Sequence, residues 1–388
     1  MKRSQLIVLA ALTLAVIVML QLLSEGSGTA GDGGSEPLVP GLQPLVNEIS
    51  AIDIVAPGGA VGSSLVRDDE HWRVEQKDGY RADFDQIAAL LRNLAAARTV
   101  AAKTANPDWH ARLGVADLER ADASGRRIDF PGRDLVSVII GQTDATDSGS
   151  YARRAAEAQS WLIDQVVEAP VDPVAWLDAA IMDIPSGEIR EVLVRRAEGE
   201  TIRIQRAEPD TGTEFVLRNV PEGRSAGAAW RRATLANGLA ALNLEDVRRF
   251  EPPLPDDTAR VLFVTSDGLN FILELFEDAG RYWAHITVSA ETTAAEPDAV
   301  DAEPGAGADS VLAEVTEVGA EVSDENGKAS GENAAAERLA NAVAADARLS
   351  PWLFAIPQRR YEDLTRALED YLEPVDESGA ETDKQAGS

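Results

Sequence analysis

The chain has 388 residues, of which 45% are hydrophobic, and it carries a formal net charge of −30. This length leaves room for two domains. The acidic charge argues against a nucleic-acid partner and against broad binding to anionic lipid headgroups. The sequence has no cysteine, which excludes disulfides, thiolate nucleophiles and cysteine-ligated metal centres.

An uncharged hydrophobic run of eighteen residues extends from Leu6 to Leu23, directly after Lys2 and Arg3. As a helix it would be about 27 Å long, close to the thickness of the hydrocarbon core of a bilayer. The two basic residues predict a cytoplasmic N-terminus. Residues 1–23 therefore predict the anchor of a single-pass inner-membrane protein with its body in the periplasm. A cleaved secretory signal is the alternative, because residues 28–30 form a small-residue cleavage site.

Residues 24–44 are rich in Gly and Ser and predict a flexible tether. They include a GxGxxG pattern from Gly26 to Gly31. A dinucleotide site requires a strand before this pattern and a helix after it, and neither is predicted here. We therefore interpret the pattern as part of the tether and predict no cofactor.

Residues 45–183 predict a first unit of strands, helix and strands. Asp83 is placed to cap the helix, with Gln86 completing a capping box. The apolar spacing puts four side chains on one helical face, namely Phe84, Ile87, Leu91 and Leu94. Strand patterns cover Glu48–Val55, Ser64–Val74, Arg127–Phe130, Val136–Ile140, Tyr151–Arg153 and Trp161–Asp164.

A second unit repeats this order in residues 184–289 and is completed by a closing strand and helix in residues 334–374. Its strand patterns cover Glu188–Val194, Thr201–Arg206, Glu214–Leu217, Arg260–Thr265, Leu269–Phe276, Arg281–Val288 and Trp352–Phe354. Turns at Asp267-Gly268 and Ala279-Gly280 join three of these strands into a meander. Its helices are marked by Leu235, Leu239 and Leu242, and by Tyr361, Leu364, Leu368 and Tyr371.

The predicted fold class is thus α+β: an N-terminal transmembrane helix followed by two tandem units, each an antiparallel sheet with a helix. Residues 290–333 form an acidic insert. From Glu291 to Glu332 it contains twelve acids and one lysine, a net charge of −11. We predict that this insert and the tail at 375–388 are disordered, because they are poor in large apolar residues.

The helix led by DFDQIAALLRNL, the series VIIGQ, YARR and SWLID, and their partial repetition resemble a bacterial domain-of-unknown-function family, numbered 4340. The resemblance extends roughly from Ile49 to Leu372. It implies an envelope protein of the kind encoded beside ABC transporter ATPase and permease subunits and a gliding-motility-type auxiliary component. It supplies no catalytic residues.

Candidate chemical residues are few. The histidines, His71, His110 and His285, are not spaced as metal-ligand pairs. We interpret His285 as a satisfied or exposed strand residue, and His71 and His110, each beside a Trp, as packing residues. Asp144 and Asp147 could belong to an oxygen-ligand loop, but a hairpin turn fits them better, because the ligand set of a calcium loop is incomplete. Trp109 and Trp176 lie in connecting segments, so we identify them as candidates for an exposed interaction. We predict no catalytic, cofactor-binding or metal-binding residue.

These features predict a non-catalytic accessory component of an ABC-type transport or envelope system. Its expected partners are the inner membrane and the permease, ATPase and auxiliary subunits of the transporter. The alternative is an envelope hydrolase or a ligand-binding protein with a carboxylate-lined groove between the two units. An enzyme would need a pocket with converging groups of perturbed pKa.

Overall fold

The computed structural model describes residues 35–68, 71–146, 148–207, 214–291 and 325–374. The chain divides into two compact units between Asp178 and Ala179. Each unit combines an antiparallel sheet with helices, so the α+β class is confirmed. No helix in these ranges is long and apolar enough to cross a membrane. The run from Leu6 to Leu23 lies outside them, and the anchor therefore stays a prediction.

Unit 1 contains a nine-stranded sheet in the order β4-β3-β2-β1-β6-β7-β8-β9-β5. Its strands are β1 (Ala51–Val55), β2 (Val61–Asp68), β3 (His71–Val74), β4 (Tyr80–Arg81), β5 (Thr99–Ala102), β6 (Arg126–Asp129), β7 (Val138–Thr143), β8 (Ser150–Arg154) and β9 (Ser160–Ile163). Its α-helices are α1 (Leu42–Leu45), α2 (Phe84–Ala96) and α3 (Pro107–Leu113). Short 3-10 turns cover Val46–Glu48, Glu75–Lys77 and Pro173–Trp176.

The capped helix is confirmed as α2. The Asp83 carboxylate accepts a hydrogen bond from the backbone N–H of Gln86 at 3.1 Å, which satisfies one of the free donors at the helix start. The buried face consists of Ile87, Leu90, Leu91 and Leu94. The prediction for Phe84 is wrong: as the first residue of the helix it lies at the end of this face, and it remains 62% exposed.

Two other predictions for unit 1 are wrong. The stretch Ser64–Val74 is not one strand but the hairpin of β2 and β3, in which Leu65 faces Val74. The acidic run that starts at Asp68 interrupts the strand pattern there. The end of the predicted tether is packed rather than flexible. Leu38, Val39 and Leu42 are buried in the core of unit 1, because these apolar side chains gain more from burial than the tether composition suggested.

Unit 2 contains an eight-stranded sheet in the order β13-β12-β11-β16-β17-β18-β19-β15 and a two-stranded sheet of β10 and β14. These strands are β10 (Ala180–Met182), β11 (Ile189–Arg195), β12 (Thr201–Arg206), β13 (Phe215–Leu217), β14 (Leu242–Asn243), β15 (Asp246–Arg249), β16 (Ala259–Thr265), β17 (Leu269–Asp278), β18 (Arg281–Ala290) and β19 (Trp352–Ile356). Its α-helices are α4 (Ala229–Ala236), α5 (Glu325–Leu349) and α6 (Gln358–Leu364), and 3-10 turns cover Ser186–Glu188 and Leu368–Tyr371.

The two large sheets have the same strand order. Reading along each sheet, β3-β2-β1-β6-β7-β8-β9-β5 corresponds strand for strand to β13-β12-β11-β16-β17-β18-β19-β15. Only β4 is added at one edge of unit 1. The Trp161-Leu162 pair in β9 corresponds in this order to Trp352-Leu353 in β19. The repetition seen weakly in the sequence is therefore a repetition of topology.

The helices of unit 2 differ from their predicted extents. Helix α4 ends at Ala236, before Asn237-Gly238, and Leu242 lies in β14 instead. The closing helix ends at Leu364, and Tyr371 is buried from a separate 3-10 turn. Helix α5 already begins at Glu325, so the last part of the predicted disordered insert is helical. Residues 292–324 and 375–388, which hold the rest of the insert and the tail, lie outside the described residues.

Candidate functional site

The candidate site is a cleft of about 840 Å³ in unit 2. Its floor is the face of the sheet formed by β11, β16, β17 and β18, and its wall is the segment 250–258, which connects β15 to β16. This volume falls in the range of small-molecule sites, about 300–1,000 Å³. The wall is apolar, with Phe250, Pro252, Pro253, Leu254 and Pro255.

Four polar side chains cross the floor of the cleft on neighbouring strands. Strand register pairs Arg195 with Arg260, Arg260 with Glu274, and Glu274 with His285. Residues that face each other across antiparallel strands have side chains on the same face of the sheet. We call this set the polar row.

Glu274 is the centre of the polar row. Its Oε1 accepts a hydrogen bond from Arg260 Nη2 at 2.7 Å, and its Oε2 lies 3.0 Å from His285 Nδ1. The hydrogen bond from His285, assisted by the one from Arg260, holds the pKa of the Glu274 carboxyl below its ordinary value, and partial burial opposes this shift. Glu274 is therefore a fixed negative charge at neutral pH.

His285 is buried and engaged on both ring nitrogens. Its Nε2 lies 2.9 Å from the backbone oxygen of Ser350, and its ring stacks on Phe250 with the centroids 3.8 Å apart. Both ring nitrogens therefore face acceptor oxygens, one on Glu274 and one on Ser350. The histidine thus joins the floor of the cleft, its wall and the chain that enters β19.

The wall is held by an apolar cluster. Phe250 and Leu254 pack on Phe276, Trp283, Leu353 and Ala355. The Trp283 ring is in turn covered by the guanidinium of Arg248, whose central carbon is 4.1 Å from the ring centroid, a cation–π contact. The wall is thus anchored in the core of unit 2.

Unit 1 has a smaller pocket of about 660 Å³ beside the start of α2. Three of its charged groups already have roles in the fold. Arg81 pairs with Asp178 at 3.0 Å, and Asp83 caps the helix. The exposed ring of Phe84 lines this pocket, but the cleft of unit 2 has the more complete set of polar and apolar groups.

The two tryptophans predicted as interaction residues have different environments. Trp109 in α3 is 55% exposed, and Arg112 lies over its ring at 5.6 Å; its role in an interaction stays a prediction. Trp176 cannot be an exposed contact, because it is completely buried. Its Nε1 donates to the oxygen of Pro170 at 2.8 Å, so the connecting segment folds inward around this ring.

Of the remaining residues considered in the sequence, His110 and Asp144 have structural roles. His110 is buried, with its Nε2 2.9 Å from the oxygen of Ala158, whereas His71 is exposed. Asp144 lies in the turn between β7 and β8, where its carboxylate accepts hydrogen bonds from the N–H groups of Ser148 and Gly149. Asp147 lies outside the described residues. Within the described ranges no group of three or more His, Cys, Asp or Glu side chains could hold a metal ion.

The polar row was missed in the sequence, although a signal for part of it exists. Glu274 and His285 are equally distant from the predicted turn at Ala279-Gly280. Arg260, in contrast, lies seven residues before Asp267, and Glu274 lies six residues after Gly268. In a hairpin, residues at equal distance from the turn face each other. The Glu274–His285 pair could therefore have been found from its turn alone, whereas a two-residue turn at Asp267-Gly268 predicts Leu275 rather than Glu274 opposite Arg260.

The fold and the cleft define an acidic α+β protein of two topologically equivalent units, with a ligand-sized cleft in the second. The family described as "Domain of unknown function (DUF4340)" matches residues 72–262. The resemblance seen in the sequence is thus confirmed over this part of the chain, which runs from β3 into β16 and includes Arg195 and Arg260 but not Glu274 or His285. No curated protein and no solved structure matched the chain.

Proposed function

We propose that the protein is a non-catalytic accessory component of an ABC-type transport or envelope system. In this proposal the run from Leu6 to Leu23 is a single-pass anchor in the inner membrane, and the two units lie in the periplasm. Support comes from the length and lack of charge of this run, and from the family resemblance, which implies an envelope protein encoded beside transporter subunits.

The lowered pKa of Glu274 is the observation that supports the non-catalytic part of the proposal. A general acid or base works best when its pKa lies near the working pH. The partners of Glu274 move its pKa in the opposite direction, below its ordinary value. His285, the other titratable group in the row, has both nitrogens committed to acceptors. These groups favour binding and structural roles over proton transfer.

A membrane anchor helps such a component to bind its partners. A body tethered to the membrane samples the space above neighbouring membrane subunits, which raises its effective concentration for them. A released body would lose this advantage even if its contact surface were intact.

We therefore expect that a strain lacking this protein regains its function from the full chain but not from a released form. In the released form, residues 1–23 are replaced by an unrelated, cleavable export signal. The matched control replaces Leu6–Leu23 by an unrelated transmembrane segment of the same length and should restore function. Full restoration by the released form would contradict the role of the anchor.

The topology has a test of its own. A reporter enzyme that is active only in the periplasm, fused after Ser388, should be active in the full chain and in the control.

A further inference from the structure

We propose that the cleft of unit 2 binds an uncharged, largely apolar small molecule between the sheet and the wall formed by residues 250–258. Binding of this ligand is an addition to the accessory role and does not depend on the anchor. Three features of the cleft support it: a shape that exists before binding, an apolar wall, and charged side chains that already have partners or lie in water.

The cleft is formed before any ligand enters. Its volume of about 840 Å³ lies in the range of small-molecule sites. Phe250 and Leu254 hold the wall in place, because they pack on a buried cluster that includes Trp283 and Leu353. The Phe250 ring also stacks on the ring of His285, with the centroids 3.8 Å apart. A ligand therefore does not have to order this segment, which lowers the entropic cost of binding.

The wall presents apolar surface to the cleft. Phe250 and Leu254 are only partly buried, and the prolines that line the cleft beside them are exposed, namely Pro252, Pro253 and Pro255. On the floor, Ile272 in β17 faces Thr287 in β18, and both residues line the cleft. An apolar body between wall and floor would remove these surfaces from water, which is favourable in proportion to the apolar area buried.

The charges on the floor are paired with one another. Arg260 Nη2 donates to Glu274 Oε1 at 2.7 Å, and Glu274 Oε2 lies 3.0 Å from His285 Nδ1. The second ring nitrogen of His285 lies 2.9 Å from the backbone oxygen of Ser350. A charged ligand would therefore have to compete with contacts that these partly buried groups already make.

The other charged residues that line the cleft are paired or exposed to water. Arg196 pairs with Glu198 at 3.3 Å and with Glu200 at 3.6 Å. Arg195 also has a partner. The side chain of Asp256 is exposed, so water and salt screen its charge. These three residues thus offer little to a charged head group.

This pairing of the charges favours an uncharged ligand. A charged head group gives up part of its hydration when it enters a cleft, and only a new partner of opposite charge compensates for that loss. Because the charges that line this cleft are paired or screened, a charged ligand would lose hydration without an equivalent gain. An uncharged ligand avoids this loss and still buries the apolar wall.

The test uses three probes that differ only in their head group: 4-phenylbutan-1-ol, 4-phenylbutyrate and 4-phenylbutylammonium. Binding to the full chain in phosphatidylcholine nanodiscs is titrated by saturation-transfer NMR, and empty nanodiscs report partition into lipid. After correction for partition, we expect the alcohol to bind about tenfold more tightly than either charged probe, because it loses less hydration. Equal affinities, tighter binding of a charged probe, or no saturable binding of the alcohol would overturn the proposal.

Two pairs of variants assign the binding to the cleft. Thr287→Asp and Thr287→Lys each add one charge to the floor. Relative to wild type, the first should shift the ratio of affinities about tenfold toward 4-phenylbutylammonium, and the second about tenfold toward 4-phenylbutyrate. Each variant tests the site by itself if the other does not fold.

Thr143→Asp and Thr143→Lys are the controls, because Thr143 is an exposed strand residue of unit 1 outside the cleft. They should leave the ratio of the two affinities unchanged. An unchanged ratio in the Thr287 variants, or the same shift in the Thr143 variants, would place the probes elsewhere and refute the site.

Discussion

Replacement of Arg153 by Met is expected to lower the free energy of unfolding of unit 1 by about 3–5 kcal/mol, because several buried acceptors would lose their donors. Arg153 is 3% exposed. Its guanidinium donates to the backbone oxygens of Val115 at 2.8 Å, Ala155 at 3.1 Å and Glu157 at 2.8 Å, and also to the carboxylate of Asp117. One side chain therefore fixes the segment after α3 to β8 and to the turn that follows it.

The measurement is urea unfolding, with hydrogen exchange of the amides in unit 1 to locate the loss. Met keeps the length of the side chain and removes the donors. Arg120→Met is the control, because Arg120 makes an ion pair with Asp122 in an exposed position, and exposed pairs contribute little. We expect no measurable change in that variant. If Arg153→Met changed the free energy of unfolding as little as the control, the buried oxygens would have other donors. Arg153 would then not fix the segment after α3.

Replacement of Glu274 by Ala is expected to destabilise unit 2 by about 2–4 kcal/mol at pH 7, because Arg260 and His285 would lose a shared acceptor in a partly buried place. The loss should depend on pH. Since contacts in the folded protein lower the pKa of Glu274, its stabilising contribution is complete above the unfolded value of about 4.3 and declines as the pH falls through the folded value. The difference between wild type and variant should therefore narrow below about pH 4.

The measurement is the difference in unfolding free energy between the two proteins from pH 7 to pH 3. Glu191→Ala is the matched control, because Glu191 is equally exposed and pairs with Arg203 but has no histidine partner. The loss of unfolding free energy should be smaller in Glu191→Ala than in Glu274→Ala. A penalty for Glu274→Ala that stays constant down to pH 3 would show that the carboxylate is not stabilised by its charge.

Local signals predicted much of this fold. The meander of unit 2 follows from the Asp267-Gly268 and Ala279-Gly280 turns, because such turns mark the points where alternating strands reverse direction. The helix after Asp83 follows from its cap and its apolar spacing. These features depend on residues close together in the sequence, and they were confirmed.

The errors arose where distant parts of the chain decide the outcome. Trp176 is buried because the oxygen of Pro170 and the core of unit 1 enclose it, which the polarity of its segment does not indicate. The end of the tether packs because Pro37 pairs with Arg98, far along the chain. Burial of this kind depends on tertiary contacts that no local pattern contains.

Part of the candidate site was predictable, because it depends on residues close together in the sequence. The Glu274–His285 pair follows from the turn at Ala279-Gly280. The register of Arg260 with Glu274 differs by one residue from that of a two-residue turn at Asp267-Gly268. The pairing of Arg195 with Arg260 and the contact of His285 with Ser350 join residues 65 apart in the sequence. The wall of the cleft is formed by the connection from β15 to β16, which packs on residues distant from it in the sequence.

Co-purification from membranes tests the central claim of an anchored accessory component most directly. The tagged full chain would be isolated in mild detergent, and the recovered proteins would be quantified by mass spectrometry. An unrelated periplasmic protein on the same Leu6–Leu23 anchor is the control for non-specific recovery. The account predicts that permease and ATPase subunits of an ABC transporter are enriched with the full chain and not with the control. Recovery of no transporter subunit, or of the same subunits with the control, would contradict it.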